Sequence, residues 1–207
     1  MDINIFDYRD KDGLLISDVD DTILLSYSTK MRKRLRNMFF INPEKRKMIE
    51  GASEFLNKVK RMNYGVIYLS NSESNLQPIL NRFINTNEFP QAPLLLSRYL
   101  YWKDVFDKDI HHYKKTHKIE SLLSICEYFE KIPLVLVGDS GQKDLSTYHE
   151  IASHYPERVQ NILIHELPWK PNTDIIEDYR KKLQKMNITV ELFDTSYASI
   201  NSFGSEE

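Results

Sequence analysis

The chain has 207 residues, with a hydrophobic fraction of 41% and a charged fraction of 28%, ordinary values for a globular protein. This length is most simply one domain covering residues 1–207, and the net charge of −2 argues against a protein built throughout for nucleic acid. The N-terminus carries acidic residues and no long apolar run, so we expect no signal peptide, no transmembrane segment and a cytoplasmic location.

Apolar segments of strand length alternate with amphipathic segments along the chain. This alternation is typical of an α/β protein with a doubly wound, mainly parallel sheet. The predicted strands cover residues 3–8, 13–17, 65–70, 93–97, 132–138, 161–165 and 188–193. The predicted helices cover residues 52–62, 76–85, 118–129, 144–154 and 174–186, and a polar segment at 99–116 precedes the third of them.

Acidic and hydroxyl side chains stand where three of the predicted strands end. Asp18 and Asp20 come directly after the strand at 13–17, and Ser70 ends the next clear strand. Asp139 and Asp144 follow the most strand-like run of the chain. Because ligands of open α/β sheets lie beyond the carboxyl ends of the strands, these residues are candidates for a single site.

The spacing of Asp18 and Asp20 favours a divided chemical task, in which one carboxylate attacks and the other exchanges protons. Two close carboxylates repel each other, so a nearby cation is expected, and Asp139 could help to hold Mg²⁺. The alternative is that these aspartates only form turns and helix caps. That alternative leaves unexplained why acidic clusters follow the two strands predicted to be central.

The segment Asp18-Val-Asp-Asp-Thr22 resembles the DxDxT signature of the haloacid dehalogenase (HAD) superfamily of phosphotransferases. The other marks of that superfamily follow in order: Ser70, then a lysine ahead of the fourth strand, then Gly138-Asp139 and Asp144. More narrowly, these segments and Leu-Ser-Asn-Ser resemble the actin-patch-associated phosphatidate phosphatases, relatives of the lipin catalytic domain. The resemblance covers roughly residues 14–192 and implies a HAD-type phosphoric monoester hydrolase.

The resemblance also implies a role for each site residue. Asp18 would be the nucleophile that forms an aspartyl-phosphate, and Asp20 would protonate the leaving oxygen and then deprotonate the hydrolytic water. Asp18, the backbone carbonyl of Asp20 and Asp139 would bind Mg²⁺, with Asp144 acting directly or through a water.

Four further positions would support this chemistry, according to the same resemblance. Thr22 would brace the nucleophile loop, and Ser70 and the Asn71 backbone would donate hydrogen bonds to phosphoryl oxygens. Lys118 best fits the position of the superfamily's lysine, which neutralises phosphoryl charge. Lys114 and Lys115 are close enough in the chain to be alternatives.

A basic insert at about residues 25–50 follows the nucleophile loop, where the superfamily places its cap. From residue 30 to residue 50 there are eight Lys or Arg against two Glu, which gives a net charge of +6. Four of these, Arg32, Lys33, Arg34 and Arg36, define what we call the basic cluster. With interleaved apolar residues it is a candidate for substrate binding at an anionic membrane surface, or it is an ordinary solvated face.

Three functions remain open at this point. The first is a Mg²⁺-dependent lipid phosphatase acting on phosphatidate, cytoplasmic or peripheral to a membrane. The second is a phosphatase of a soluble phosphomonoester or of a nucleic-acid phosphate end, with the basic insert binding the polyanion. The third is a catalytically silent HAD-like binding module, which the intact set of aspartates disfavours.

Overall fold

The computed structural model describes residues 8–25, 47–98, 108–141, 143–169, 172–194, 196–197 and 200, with only the backbone given for 108–115. Within this part, the strands are β1 (Gly13–Ser17), β2 (Tyr64–Glu73), β3 (Leu94–Ser97), β4 (Leu134–Asp139), β5 (Val159–His165) and β6 (Thr189–Phe193). The α-helices are α1 (Ala52–Arg61), α2 (Gln77–Thr86), α3 (Lys108–Tyr128), α4 (Asp144–His154) and α5 (Thr173–Gln184).

The six strands form one sheet in the order β3-β2-β1-β4-β5-β6, and every pair of neighbours is parallel. The chain builds outward from β1 to β3, then crosses back through α3 to place β4 on the other side of β1. The topological switch point therefore lies between β1 and β4. In such sheets a ligand binds beyond the carboxyl ends of the strands at this point.

Two apolar cores lie on opposite faces of the sheet. Side chains of α1 and α2 pack on one face, and side chains of α3, α4 and α5 pack on the other. Successive residues of β1 alternate between the faces: Leu14 and Ile16 join one core and Leu15 joins the other. The structure thus confirms the predicted fold class, a doubly wound α/β fold with a parallel sheet.

Six of the seven predicted strands are confirmed to within three residues at either end, whereas the strand predicted at 3–8 falls almost wholly outside the described residues. Only Tyr8 of that segment is described, and its backbone is 3-10 helical. Helix α3 differs most, because it begins at Lys108 and not at the predicted Lys118. Residues 108–117 contain neither Gly nor Pro, so nothing interrupts the helix although the segment lacks an apolar period.

The basic cluster (Arg32, Lys33, Arg34 and Arg36) also lies outside the described residues, and so does most of the predicted insert at 25–50. Among the helices that the structure does describe, none has the length and apolar character needed to cross a bilayer.

Candidate active site

A tight loop carries Asp18 and Asp20 away from the end of β1. The Asp18 N–H donates to the carbonyl of Val137 at 2.8 Å, which joins the loop to neighbouring β4. The chain then reverses, and Asp21 adopts a left-handed conformation with φ of 57°. Aspartate tolerates this conformation better than most non-glycine residues. The loop consequently holds Asp18 and Asp20 beside the switch point of the sheet.

Two side chains from the C-terminal half of the chain contact the backbone of this loop. The hydroxyl of buried Tyr197 donates to the carbonyl oxygen of Thr22 at 2.9 Å. The ring of buried His165 lies between two backbone carbonyl oxygens, those of Asp21 and Asp194, each 2.7 Å from a ring nitrogen. Contacts at the Thr22 and Asp21 carbonyl oxygens therefore hold the backbone of the turn that carries the candidate nucleophile.

Three buried carboxylates converge at the carboxyl ends of β1 and β4. Asp18, Asp139 and Asp144 each offer an oxygen, and these oxygens all lie within 4.8 Å of one another. The Lys118 ammonium lies 2.9 Å from Asp18 Oδ1 and 2.6 Å from Asp144 Oδ1. The other oxygen of Asp144 accepts the backbone N–H of Asp139 at 3.2 Å. Asp144 thus ties the lysine to the end of β4.

Burial makes this group of charges electrostatically demanding. The pKa of Asp18 is raised to about 8, chiefly because burial disfavours the charged form. Lys118 lowers this pKa, and the charges of Asp144 and Asp20 raise it. Burial and the neighbouring carboxylates of Asp144 and Asp18 raise the pKa of Asp139 to about 9. Burial alone would lower the pKa of Lys118, but the Asp144 and Asp18 carboxylates outweigh it and raise that pKa. Fully ionised, three carboxylates and one ammonium sum to −2, the charge that one divalent cation would balance.

The residues fit such a cation. Asp139 Oδ2 is buried and, among the described residues, has no hydrogen-bond partner, which is unusual for a carboxylate oxygen inside a protein. Mg²⁺ takes oxygen ligands at about 2.1 Å in an octahedron, so its ligand oxygens lie about 3 to 4 Å apart. The cluster of Asp18, Asp139 and Asp144 oxygens within 4.8 Å matches that requirement. The donor set, all hard carboxylate oxygen, is the one that Mg²⁺ prefers.

Asp20 stands apart from this cluster and is held by the end of β2. Its Oδ2 accepts the hydroxyl of Ser70 at 3.1 Å and the hydroxyl of Ser72 at 2.9 Å. The backbone N–H of Ser72 in turn donates to the Ser70 oxygen at 2.9 Å. Asp20 is half-buried, so unlike Asp18 its carboxylate is open to solvent on one side.

The remaining predicted residues lie close to these groups. Thr22 donates its hydroxyl to Asp18 Oδ2 over a long 3.4 Å. Asn71 follows Ser70, and its side-chain oxygen is buried with no hydrogen-bond partner among the described residues. Of the three candidate lysines, Lys118 contacts Asp18, while the side chains of Lys114 and Lys115 belong to the part that the structure does not describe.

Sequence analysis missed three residues of the site: Ser72, His165 and Tyr197. Ser72 carries a usable signal, since it lies two residues after Ser70 on a strand and side chains at that spacing share a face. His165 and Tyr197 carry none. Each contacts the loop across more than 140 residues of sequence, and only the folded sheet brings them together.

The amino-acid sequence that forms this site matches a known protein family. The family model for the phosphatidate phosphatase APP1 catalytic domain matches residues 14–166, a range that contains every carboxylate of the site. The chain is 31% identical over 153 residues to the Phosphatidate phosphatase APP1 of Saccharomyces cerevisiae, covering 72% of this chain and 25% of that protein.

Two further similarities agree with this match. An uncharacterised protein of Schizosaccharomyces pombe is 29% identical over 187 residues, covering 90% of this chain and 30% of that protein. The chain therefore spans less than a third of the length of either curated relative. A crystal structure of a phosphoserine phosphatase in its apo form shares the fold, with a TM-score of 0.53, 12% identity, and coverage of 94% of this chain and 100% of that one.

The family match confirms the resemblance to the phosphatidate phosphatases that the sequence motifs indicate. The chain belongs to the phosphatidate phosphatase APP1 catalytic-domain family.

Proposed function

We propose that this chain is a Mg²⁺-dependent phosphatase that hydrolyses a phosphomonoester through an aspartyl-phosphate, with phosphatidate as its substrate. The observation that carries the proposal is the buried cluster at the switch point. It combines Asp18, Asp139 and Asp144 oxygens within 4.8 Å with the Lys118 ammonium 2.9 Å from Asp18. Burying three carboxyl groups around one lysine lowers the free energy of unfolding. Such an arrangement is typical of a functional site, here one that binds a cation and a dianionic substrate.

In the proposed reaction, a carboxylate oxygen of Asp18 forms a bond to phosphorus while the bond from phosphorus to the ester oxygen breaks. Asp20 gives its proton to that leaving oxygen. In the second half, Asp20 takes a proton from a water molecule whose oxygen bonds to phosphorus, and the bond between phosphorus and Asp18 breaks. The covalent intermediate thereby divides one difficult displacement into two easier ones.

Asp18, Asp139 and the backbone carbonyl of Asp20 would hold the Mg²⁺, with Asp144 acting through a water. When bound, the cation supplies charge neutralisation for the phosphoryl oxygens and for the crowded carboxylates. Asp144 has both oxygens engaged, one by Lys118 and one by the Asp139 N–H, which favours an indirect role for it.

The phosphoryl group also needs donors for its equatorial oxygens, because phosphoryl transfer depends mainly on positioning and charge stabilisation. Lys118, the Ser70 hydroxyl and the Asn71 N–H would supply them. Lys118 is the candidate among the three lysines because it is already within 2.9 Å of the proposed nucleophile. Thr22 would brace the loop through its hydroxyl and through the hydrogen bond that its carbonyl accepts from Tyr197.

The lipid substrate rests on family membership and on the yeast relative named as a phosphatidate phosphatase. The basic cluster, which follows the nucleophile loop in the sequence, would bind an anionic membrane surface and so present a lipid phosphate to Asp18. We further propose that residues 1–207 form one phosphatase domain, with the insert at about 25–50 as its cap, and that it works in the cytoplasm.

A substrate panel tests the proposal directly. Hydrolysis would be compared for phosphatidate in mixed micelles, soluble phosphomonoesters and 5′- or 3′-phosphorylated oligonucleotides, each with Mg²⁺ and with excess chelator. The Asp18→Asn variant is the control for a contaminating phosphatase. We expect Mg²⁺-dependent activity that is highest on phosphatidate and absent in the variant. Higher activity on a soluble ester or on an oligonucleotide would replace the lipid assignment, and activity on none would support a silent binding module.

A further inference from the structure

The carboxylate of Asp20 is held asymmetrically. Both serine hydroxyls, those of Ser70 and Ser72, donate to the same oxygen, Oδ2. In the part of the chain that the structure describes, no side chain or backbone group donates to the other oxygen, Oδ1. One oxygen is therefore fixed to β2, and the other receives no donor from the described residues.

The two serines cannot serve Asp20 in the same way once a substrate is bound. A serine hydroxyl has one proton, so a Ser70 that donates to a phosphoryl oxygen no longer donates to Asp20. The Ser72 N–H would continue to hold the Ser70 oxygen, because that hydrogen bond uses a lone pair and not the hydroxyl proton. Ser72 is then the donor that remains on Asp20.

The backbone at Ser72 is held in place by a side chain of β3. The buried Ser97 hydroxyl lies 3.2 Å from the Ser72 carbonyl oxygen and 3.0 Å from that of Asn71. This contact falls where the register between β2 and β3 shifts, between Ser70 and Glu73. Ser70 and Ser72 lie on the same face of β2, and the Ser97 hydroxyl of β3 supports the backbone behind them.

We propose that Ser72 is a positioning residue that holds Oδ2 of Asp20, so that Oδ1 exchanges the proton with the leaving oxygen and later with the water. This inference rests on the proposed function and deepens it, since it assigns the proton to one named oxygen. Losing Ser72 would let the Asp20 carboxylate rotate once Ser70 has turned to the substrate. Proton transfer would then lose its alignment, although Asp18, Lys118 and the metal ligands would be untouched.

The proposed role of Ser72 can be tested with two substrates whose leaving groups differ in their need for a proton. An alkyl phosphate needs its leaving oxygen protonated, whereas 4-nitrophenyl phosphate releases a stable phenolate and needs little help from an acid. The kinetic constant kcat/KM reports the steps up to formation of the phosphoenzyme and excludes the later hydrolysis that both substrates share. We expect Ser72→Ala to lower kcat/KM on the order of 10-fold to 100-fold for the alkyl ester and by less than about 3-fold for the aryl ester.

Three companion variants sharpen the comparison. Ser72→Thr keeps the hydroxyl and should restore the alkyl ester's kcat/KM, and Ser153→Ala, on the exposed side of α4, should leave both esters unaffected. In an Asp20→Asn background, Ser72→Ala should lower alkyl-ester hydrolysis no further, because the group that it positions is gone. An equal loss on both esters in the Ser72→Ala variant would overturn the proposal and show a general structural role.

A crystal structure of the Ser72→Ala variant with orthovanadate bound at the site tests the role of Ser72 without a measurement of activity. We expect the Asp20 carboxylate to leave its wild-type orientation, and an unchanged orientation would overturn the proposal. Failure of the wild-type protein to hydrolyse either ester would instead count against the proposed function, and the crystal structure would still decide the role of Ser72.

Discussion

Gly138 and Asp144 are packed so closely that any side chain at position 138 would displace the Asp144 carboxylate. A Cβ built on Gly138 would lie 2.5 Å from Asp144 Oδ2 and 2.9 Å from the Tyr148 hydroxyl. This glycine is the next-to-last residue of β4, directly before Asp139, and its missing side chain leaves the space that the Asp144 carboxylate occupies. The pairing of Gly138 with Asp139 therefore has a steric explanation as well as a chemical one.

Gly138→Ala should therefore damage the site more than the fold. Asp144 must move, and it would release Lys118 and the Asp139 N–H that it binds. We expect a destabilisation of about 1 to 3 kcal/mol from overpacking, together with a loss of Mg²⁺ affinity and of activity. Thermal unfolding and Mg²⁺ titration by calorimetry measure the two effects separately.

Gly65→Ala is the matched control for this substitution. Its Cβ would lie 2.7 Å from both Leu14 and Tyr8, so it also overpacks, but at the start of β2 and far from the carboxylates. It should lower the free energy of unfolding by a similar amount and leave Mg²⁺ affinity intact. If both variants bound Mg²⁺ equally well, Asp144 would not be needed in its present position.

Asp18→Asn should abolish turnover without weakening the fold. The substitution removes one of three buried negative charges while Lys118 keeps its contact with Asp144. Because burial disfavours the charged form of Asp18, the free energy of unfolding of the metal-free protein should stay constant or rise. Urea unfolding in chelator and hydrolysis with Mg²⁺ test the two halves of this prediction. Turnover like that of the wild type would remove Asp18 from the proposed mechanism.

Removal of the lysine should have the opposite effect on stability. Lys118→Met leaves Asp18, Asp139 and Asp144 buried without a compensating cation, which typically costs about 3 to 5 kcal/mol. Lys182→Met is the control, because Lys182 forms an equally short ion pair with Asp178 at 2.6 Å but on the exposed surface. We expect the control to unfold nearly as the wild type does. Equal stability of the two variants would mean that the carboxylates are compensated from elsewhere.

The stability of the metal-free protein should fall as pH rises. The pKa of Asp18 is raised from 3.8 to about 8 and that of Asp139 from 3.8 to about 9, so the folded state binds more protons than the unfolded state between those values. Stability is then greatest near pH 4 with respect to these two groups and decreases until both are ionised near pH 9.

Mg²⁺ should offset part of this decrease, because it binds the ionised carboxylates. At a Mg²⁺ concentration 100-fold above Kd, the added stability is about 2.7 kcal/mol, and it should grow with pH. Melting temperatures measured from pH 5 to pH 9 in chelator and in Mg²⁺ provide the comparison, with Asp139→Asn as the variant that should flatten both curves. A melting temperature in chelator that does not change with pH would contradict the raised pKa values.

The sequence alone predicts the strands and the loop residues that follow them, because burial on both faces gives β1 and β4 continuous apolar runs. It also predicts Asp18, Asp139 and Asp144 as neighbours, since parallel strands end at one edge. It fails for contacts that depend on tertiary geometry. No local pattern connects Tyr197 to Thr22 or His165 to Asp21, and the early start of α3 has no apolar period to mark it.

The basic cluster provides the test of the membrane hypothesis, which the sequence motivates through the net charge of +6 between residues 30 and 50. We expect reversal of all four charges of the cluster to impair hydrolysis on anionic vesicles far more than hydrolysis of a small soluble ester. Each basic residue near an anionic surface contributes about 1 kcal/mol, so vesicle binding should weaken by orders of magnitude at low salt. The difference should shrink as salt rises and screens the surface charge.

The matched control reverses the charge of four exposed basic residues elsewhere in the chain, namely Lys60, Arg61, Lys131 and Lys185. It alters the net charge by the same amount, so it separates a local membrane contact from a general electrostatic effect. Vesicle co-sedimentation and both hydrolytic activities would be measured for the two variants at several salt concentrations. If the control lost vesicle binding equally, net charge and not the cluster would govern association. An equal loss on vesicles and on the soluble ester for the cluster variant would mean that the insert supports the active site itself.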